Sequence, residues 1–212
     1  MAHADEIPSN YVNAISKQVH QLISEGLDEE LVQVVKDCAD PTSPKSSVTL
    51  GDSLQIWTLD NKGIEGFTQR GLDLDKIARS TGQRGHLLRV NTEGKSFIRS
   101  TLTKDGSAPM VGQLQTSYLA RSIASAIDLV ERETASNAGF RERVGDDPLV
   151  RLLSAPFFRV SALWLINEAR KENYVIVVES LTKSIKLRTR ELLTSQEFLK
   201  AFPLKQKTFS IS

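Results

Sequence analysis

SSVTLGDSLQIWTL, residues Ser46–Leu59, decides how the rest of the chain is read. If Gly51-Asp52-Ser53 is a sharp turn into a helix, the serine sits exposed at its tip and the chain reads as an α/β enzyme. If the turn opens onto a strand, the chain reads as α+β. The residues that follow, Leu54-Gln55-Ile56-Trp57-Thr58-Leu59, are extended and rich in β-formers, so the second reading is the stronger one. Ser53 then stands at the start of a strand and Trp57 anchors a sheet.

Upstream the period is helical. Val12, Ile15, Val19, Leu22 and Ile23 recur at helical spacing, with Ser9 as N-cap and Gly26 just past the end. Asp28 caps a second helix whose first turn holds Glu29 and Glu30, and whose apolar stripe Leu31, Val34, Val35 and Cys38 makes the cysteine a core residue. Asp40–Ser47, DPTSPKSS, has two prolines among small polar residues and reads as a linker. The expected division is therefore a helical hairpin over 1–39, a linker over 40–47 and an α+β domain over 48–212.

Downstream the expectation is a series of hairpins. Asp60-Asn61-Lys62-Gly63 reads as a turn and Ile64–Gln69 as a returning strand; Leu72–Arg79 allows two helical turns. His86–Val90 and Ser96–Thr103 form a second hairpin. The spacing of Leu114, Tyr118, Leu119, Ile123, Ile127 and Val130 predicts the longest helix over about Gly112–Thr134. Asp147-Pro148 signals the start of a short helix that ends before Pro156. Phe158–Ile166 and Tyr174–Glu179 make a third hairpin, although FFRVSALWLINEARKE also fits a buried helix, and residues 157–172 stay open between the two. Thr194 and Glu197 form a capping box, with Leu193 and Phe198 at the staple positions, for a helix over Gln196–Phe202. The fold class is α+β: an antiparallel sheet built from hairpins, covered by one long helix, with an N-terminal helical hairpin.

Gly51-Asp52-Ser53-Leu54 resembles the nucleophile block of the GDSL, or SGNH, hydrolases, over four residues only. The resemblance implies a serine nucleophile just after the first strand of a parallel sheet, leading into a helix, with a late Asp-x-x-His base. Here LQIWTL is extended and no histidine follows His86, so the hydroxyl lacks its general base. Gly94-Lys95-Ser96 imitates the end of a phosphate-binding loop, but the required earlier glycine is Arg89, and SFIRSTLT after it is strand-like. His3, His20 and His86 have no metal-ligand spacing, and no metal or cofactor is expected.

Two constellations remain. Arg79, Arg84 and Arg89, in ARSTGQRGHLLRV, are candidate contacts for an anion or nucleic acid, against a plainer reading as a basic loop. Only Phe67 and Phe97 interleave the basic middle of the chain, which is sparse for stacking on bases. Arg141, Asp146 and Arg151, within FRERVGDDPLVRLL, form a candidate polar cluster for a substrate, against a plainer reading as caps and ion pairs.

The 212 residues are 40% hydrophobic and 25% charged, the composition of a folded globular protein. The net charge of +1 hides an asymmetry: residues 1–60 sum to −7, whereas 62–104 and 183–207 each sum to +5. One cysteine excludes an internal disulfide, and the start shows no basic leader ahead of an apolar run, so a cytoplasmic, non-membrane protein is expected. Without a complete catalytic set, the expected function is non-enzymatic: an interaction or assembly protein, with a protein partner or a second copy bound through oppositely charged surfaces. The alternatives are a small-molecule enzyme built on the Arg/Asp cluster and nucleic-acid binding through the basic hairpins.

Overall fold

The computed structural model describes residues 15, 17, 18, 21, 48–90, 93–101, 110–116, 118–182 and 185–203. Residues 15, 17, 18 and 21 are helical and Ile15 is fully buried; the rest of the expected helical hairpin and the linker lie outside the described residues. The chain is α+β, as its periodicities indicate. The strands are β1 (Val48–Thr58), β2 (Arg79–Val90), β3 (Glu93–Thr101), β4 (Met110–Thr116), β5 (Leu149–Ala155), β6 (Val160–Asn167), β7 (Glu172–Ser180) and β8 (Leu192–Thr194). The helices are α1 (Asn61–Arg70), α2 (Leu74–Ile77), α3 (Tyr118–Ser136), α4 (Ala138–Val144) and α5 (Ser195–Lys200).

The eight strands of the described residues belong to one sheet, in the order β4-β3-β2-β1-β5-β6-β7-β8. It consists of two antiparallel meanders set side by side through their first strands. Those first strands run parallel, from Gln55 opposite Arg151 to Thr58 opposite Ser154. The sheet is thus mixed, which corrects the expectation of an antiparallel one. Parallel neighbours need a connection of a dozen residues or more, and the chain from β1 through α1, α2 and the rest of the first meander supplies it, α3 with α4 making the return from the edge strand β4 to β5.

Three local readings change, each for a physical reason. Ile64–Gln69 is helical, within α1: Asp60 is its N-cap, its carboxylate accepting the Gly63 N–H at 2.8 Å, and Gly71 closes it in the left-handed conformation at φ 61. Gly63 serves close packing rather than a positive φ, because a Cβ there would lie 2.9 Å from the Ile77 carbonyl of α2. The long helix starts at Tyr118, not near Gly112, and the residues before it form β4. Asp147-Pro148 introduces a strand, β5, not a helix. Val150 and Leu152 pack on one face of the sheet and Leu153 and Ala155 on the other, a two-residue alternation that outweighs the start signal.

Both faces of the sheet are covered. On the first, Leu54, Ile56, Leu152, Leu163 and Ile176 meet Ile123, Ile127 and Val130 of α3 and Phe140 and Val144 of α4. On the second, Leu59, Leu153, Trp164, Val175 and Val177 meet Ile64 of α1, Leu74 and Ile77 of α2, and Phe198 and Leu199 of α5. Strands buried on both sides lose the apolar-polar alternation, and this is why Val160–Asn167 also fits a buried helix by pattern alone. The structure makes it β6, paired in a hairpin with β7.

Polar contacts fix the second layer. Asp73, N-cap of α2, accepts from the Leu74 N–H at 2.7 Å, the Ser195 hydroxyl at 2.6 Å and Asn173 Nδ2 at 3.3 Å, so one carboxylate ties α2, β7 and α5 together. Asp73→Ala strands these donors, and an expected loss of about 2 kcal/mol would be read as a lower urea midpoint at unchanged slope. The capping box on α5 forms as its sequence indicates: Thr194 Oγ1 accepts the Glu197 N–H and the Glu197 carboxylate accepts the Thr194 N–H. Thr194→Ala is expected to cost about 1 kcal/mol in the same assay.

Candidate ligand pocket at a fork in the sheet

The β1–β5 ladder begins at Gln55 and Arg151. The residues just before it on each strand, Ser53 and Leu54 on one, Leu149 and Val150 on the other, line a pocket of about 730 Å³. Ile127, Val130, Glu131, Thr134 and Ala135 of α3 form a further wall, and Arg141 with Asp146, Asp147 and Pro148 forms the rim. The volume and the mixture of an apolar wall with a few polar groups are those of a small-ligand site.

The backbone of the GDSL stretch is strand throughout. Leu50 faces Leu88 and Ser53 faces His86, three steps on β1 against two on β2, so Gly51-Asp52 forms a β-bulge inside the strand instead of a turn before it. Ser53 Oγ accepts a hydrogen bond from Arg84 Nε at 3.1 Å. Arg84, only 8% exposed, faces Gln55 in register and reaches the pocket wall. His86 beside it is buried, and that burial, then the Arg84 charge, lowers its pKa from the usual 6.5 to about 4. The imidazole is therefore neutral at neutral pH.

The rim is held from below. Gly145, at φ 93, turns the chain out of α4, and its N–H returns to the Arg141 carbonyl at 2.8 Å. Buried Asn167 donates to the Arg143 carbonyl at 2.8 Å and accepts from the Arg170 N–H at 3.2 Å, which links the end of α4 to the β6–β7 turn. Arg141 Nε lies 3.6 Å from Asp146 Oδ1, and its Nη1 reaches the Thr134 carbonyl at 3.5 Å. Thr134 Oγ1 is buried without a hydrogen-bond partner among the described residues.

The structure separates the sequence-derived candidates. Arg141 and Asp146 meet on the rim, whereas Arg151 lies on the second face of the sheet, its guanidinium 4.3 Å from the Trp57 ring and 5.0 Å from that of Trp164. Arg79 is exposed and Arg84 is buried at the pocket, both within strand β2 and not in a loop; Arg89 lies in β2 opposite Thr49, its side chain outside the description. Ser53, Glu131 and Thr134 were missed as binding groups. Glu131 and Thr134 lie three apart beside the Ile127 and Val130 stripe, a helical pairing that marks a shared side but carries no chemical motif.

Among the described residues no group of acids, histidines or cysteines is placed to hold a metal ion, and no helix is long and apolar enough to cross a membrane. The chain matches no family model, no curated protein and no solved structure.

Proposed function

We propose that the protein is a non-enzymatic binding module that captures a ligand in the fork between β1 and β5. The observation that carries this reading is the pocket itself, where the parallel ladder stops, Ile127, Val130 and Ala135 of α3 give an apolar surface, and Ser53, Arg84 and Thr134 bring polar groups to one space. Pockets with few convergent polar groups are the default binding sites of folded domains. Arg141 and Asp146 act as the rim that positions the entering group. Ser53 takes a hydrogen bond from Arg84, an arrangement that orients the hydroxyl and does not withdraw its proton. An adaptor role follows if the captured group belongs to another protein, and the single Cys38 supports a reducing compartment such as the cytoplasm. Nucleic-acid binding is the weaker reading, because Arg84 serves the pocket and Arg79 alone of the three is an exposed cation among the described side chains.

Ligand-observed NMR with a fragment library tests the reading. Fragments should bind the protein and lose binding to Ala135→Trp, which places a large ring in the pocket from an exposed helical position. Equal binding to a folded Ala135→Trp protein contradicts it.

A further inference from the structure

The fork leaves a specific pair of backbone groups facing the pocket. Leu59 N–H donates to the Ser154 carbonyl at 2.9 Å, which fixes the odd-numbered residues of β1 and the even-numbered residues of β5 as those whose main-chain groups point across the pair. The next rung below Gln55–Arg151 would join the Ser53 carbonyl to the Val150 N–H, and the ladder stops before it. Both residues line the pocket. An acceptor on one strand and a donor on the other are thus held apart at its floor, with the unpartnered Thr134 hydroxyl on the α3 side. The Thr134 hydroxyl is buried and both strands are half-buried at this point, so these open polar groups invite an occupant.

Around the opening, Arg141 is paired with Asp146, while Glu131 and Asp147 line the pocket with no ion-pair partner among the described residues. With Arg84 at the wall counted as well, two cations stand against three acids, so the lining is acidic by one charge, with Glu131 and Asp147 unpaired by Arg141. We propose that the fork takes an extended peptide segment carrying a basic side chain. One of its residues donates its N–H to the Ser53 carbonyl, and the next accepts from the Val150 N–H with its carbonyl, since successive residues of a strand point to opposite sides. The basic side chain meets Glu131 and Asp147, and Thr134 supplies one further hydrogen bond.

The inference rests on the pocket reading above and is tested separately from it. Phage-displayed random heptapeptides are selected against the full chain, and the enriched peptides are synthesised and titrated. The expected result is enrichment of Lys- or Arg-containing sequences whose affinity falls about tenfold or more on Ala135→Trp and on Glu131→Lys with Asp147→Lys. N-methylation of a single peptide amide, the one that donates to Ser53, should weaken binding by a similar factor. No enrichment, or peptides that bind the variants equally and tolerate methylation at every amide, overturns the proposal. If fragments bind in an Ala135-dependent way while peptides do not, the peptide falls and the pocket stands. If fragments also ignore Ala135→Trp, both fall. Circular dichroism of each variant confirms that the fold persists.

Discussion

Trp164→Ala should lose about 3–5 kcal/mol of stability, a large share of what a domain this size possesses. The indole is fully buried at the centre of the second face. Trp57 packs edge-on against it with ring centroids 5.4 Å apart, Arg151 stacks on its face, and its Nε1–H donates to Asn173 at 2.9 Å. Truncation removes all three contacts at once and opens a cavity between β5, β6 and β7. Trp164→Phe keeps most of the volume and should cost much less, about 1–2 kcal/mol, mostly the lost hydrogen bond. Guanidinium titration of both variants reads the difference; equal losses would place the energy in the polar contact and not in the packing.

His86 should make the fold acid-sensitive. Its folded pKa of about 4 lies below the ordinary 6.5, so between those values the unfolded chain binds a proton that the native chain refuses. Stability from this residue is therefore complete above pH 6.5 and declines as pH falls towards 4. At 1.36 kcal/mol for each pH unit, the loss reaches about 3 kcal/mol across the window. Urea titrations at pH 7, 5.5 and 4.5 measure the decline, and His86→Gln should flatten it over the same range. A slope unchanged in His86→Gln would assign the acid sensitivity to other groups. Burial is the main cause and Arg84 adds to it, so acid also loads positive charge onto the strand that walls the pocket.

The residues announced the elements better than their arrangement. The β1 alternation, the β2–β3 and β6–β7 hairpins and the Thr194 capping box were legible, because each is a local pattern with a local cause. Residues 61–70 and 149–155 were not, because local signals competed. Asp60 through Gly63 has the composition of a turn as well as of a helix cap, and Asp147-Pro148 starts a helix only if the residues after it can leave the sheet. The parallel β1–β5 pair is a contact between residues nearly a hundred positions apart, and nothing near Gln55 or Arg151 encodes it. The pocket inherits that difficulty. Arg141 and Asp146 were recognisable as a polar cluster, but Ser53, Arg84 and Thr134 converge only after the two meanders meet.

Those meanders meet imperfectly and leave a gap between β1 and β5. Native-state hydrogen exchange followed by NMR reports on it at single amides. The Val150 N–H, facing the fork, should exchange about a hundredfold faster than the Leu152 N–H, which bonds across to β1 in the ladder. Addition of a selected peptide should then slow Val150 towards Leu152. Equal protection of the two amides in the free protein would mean that the rung is already closed, and the fork would not be a binding site.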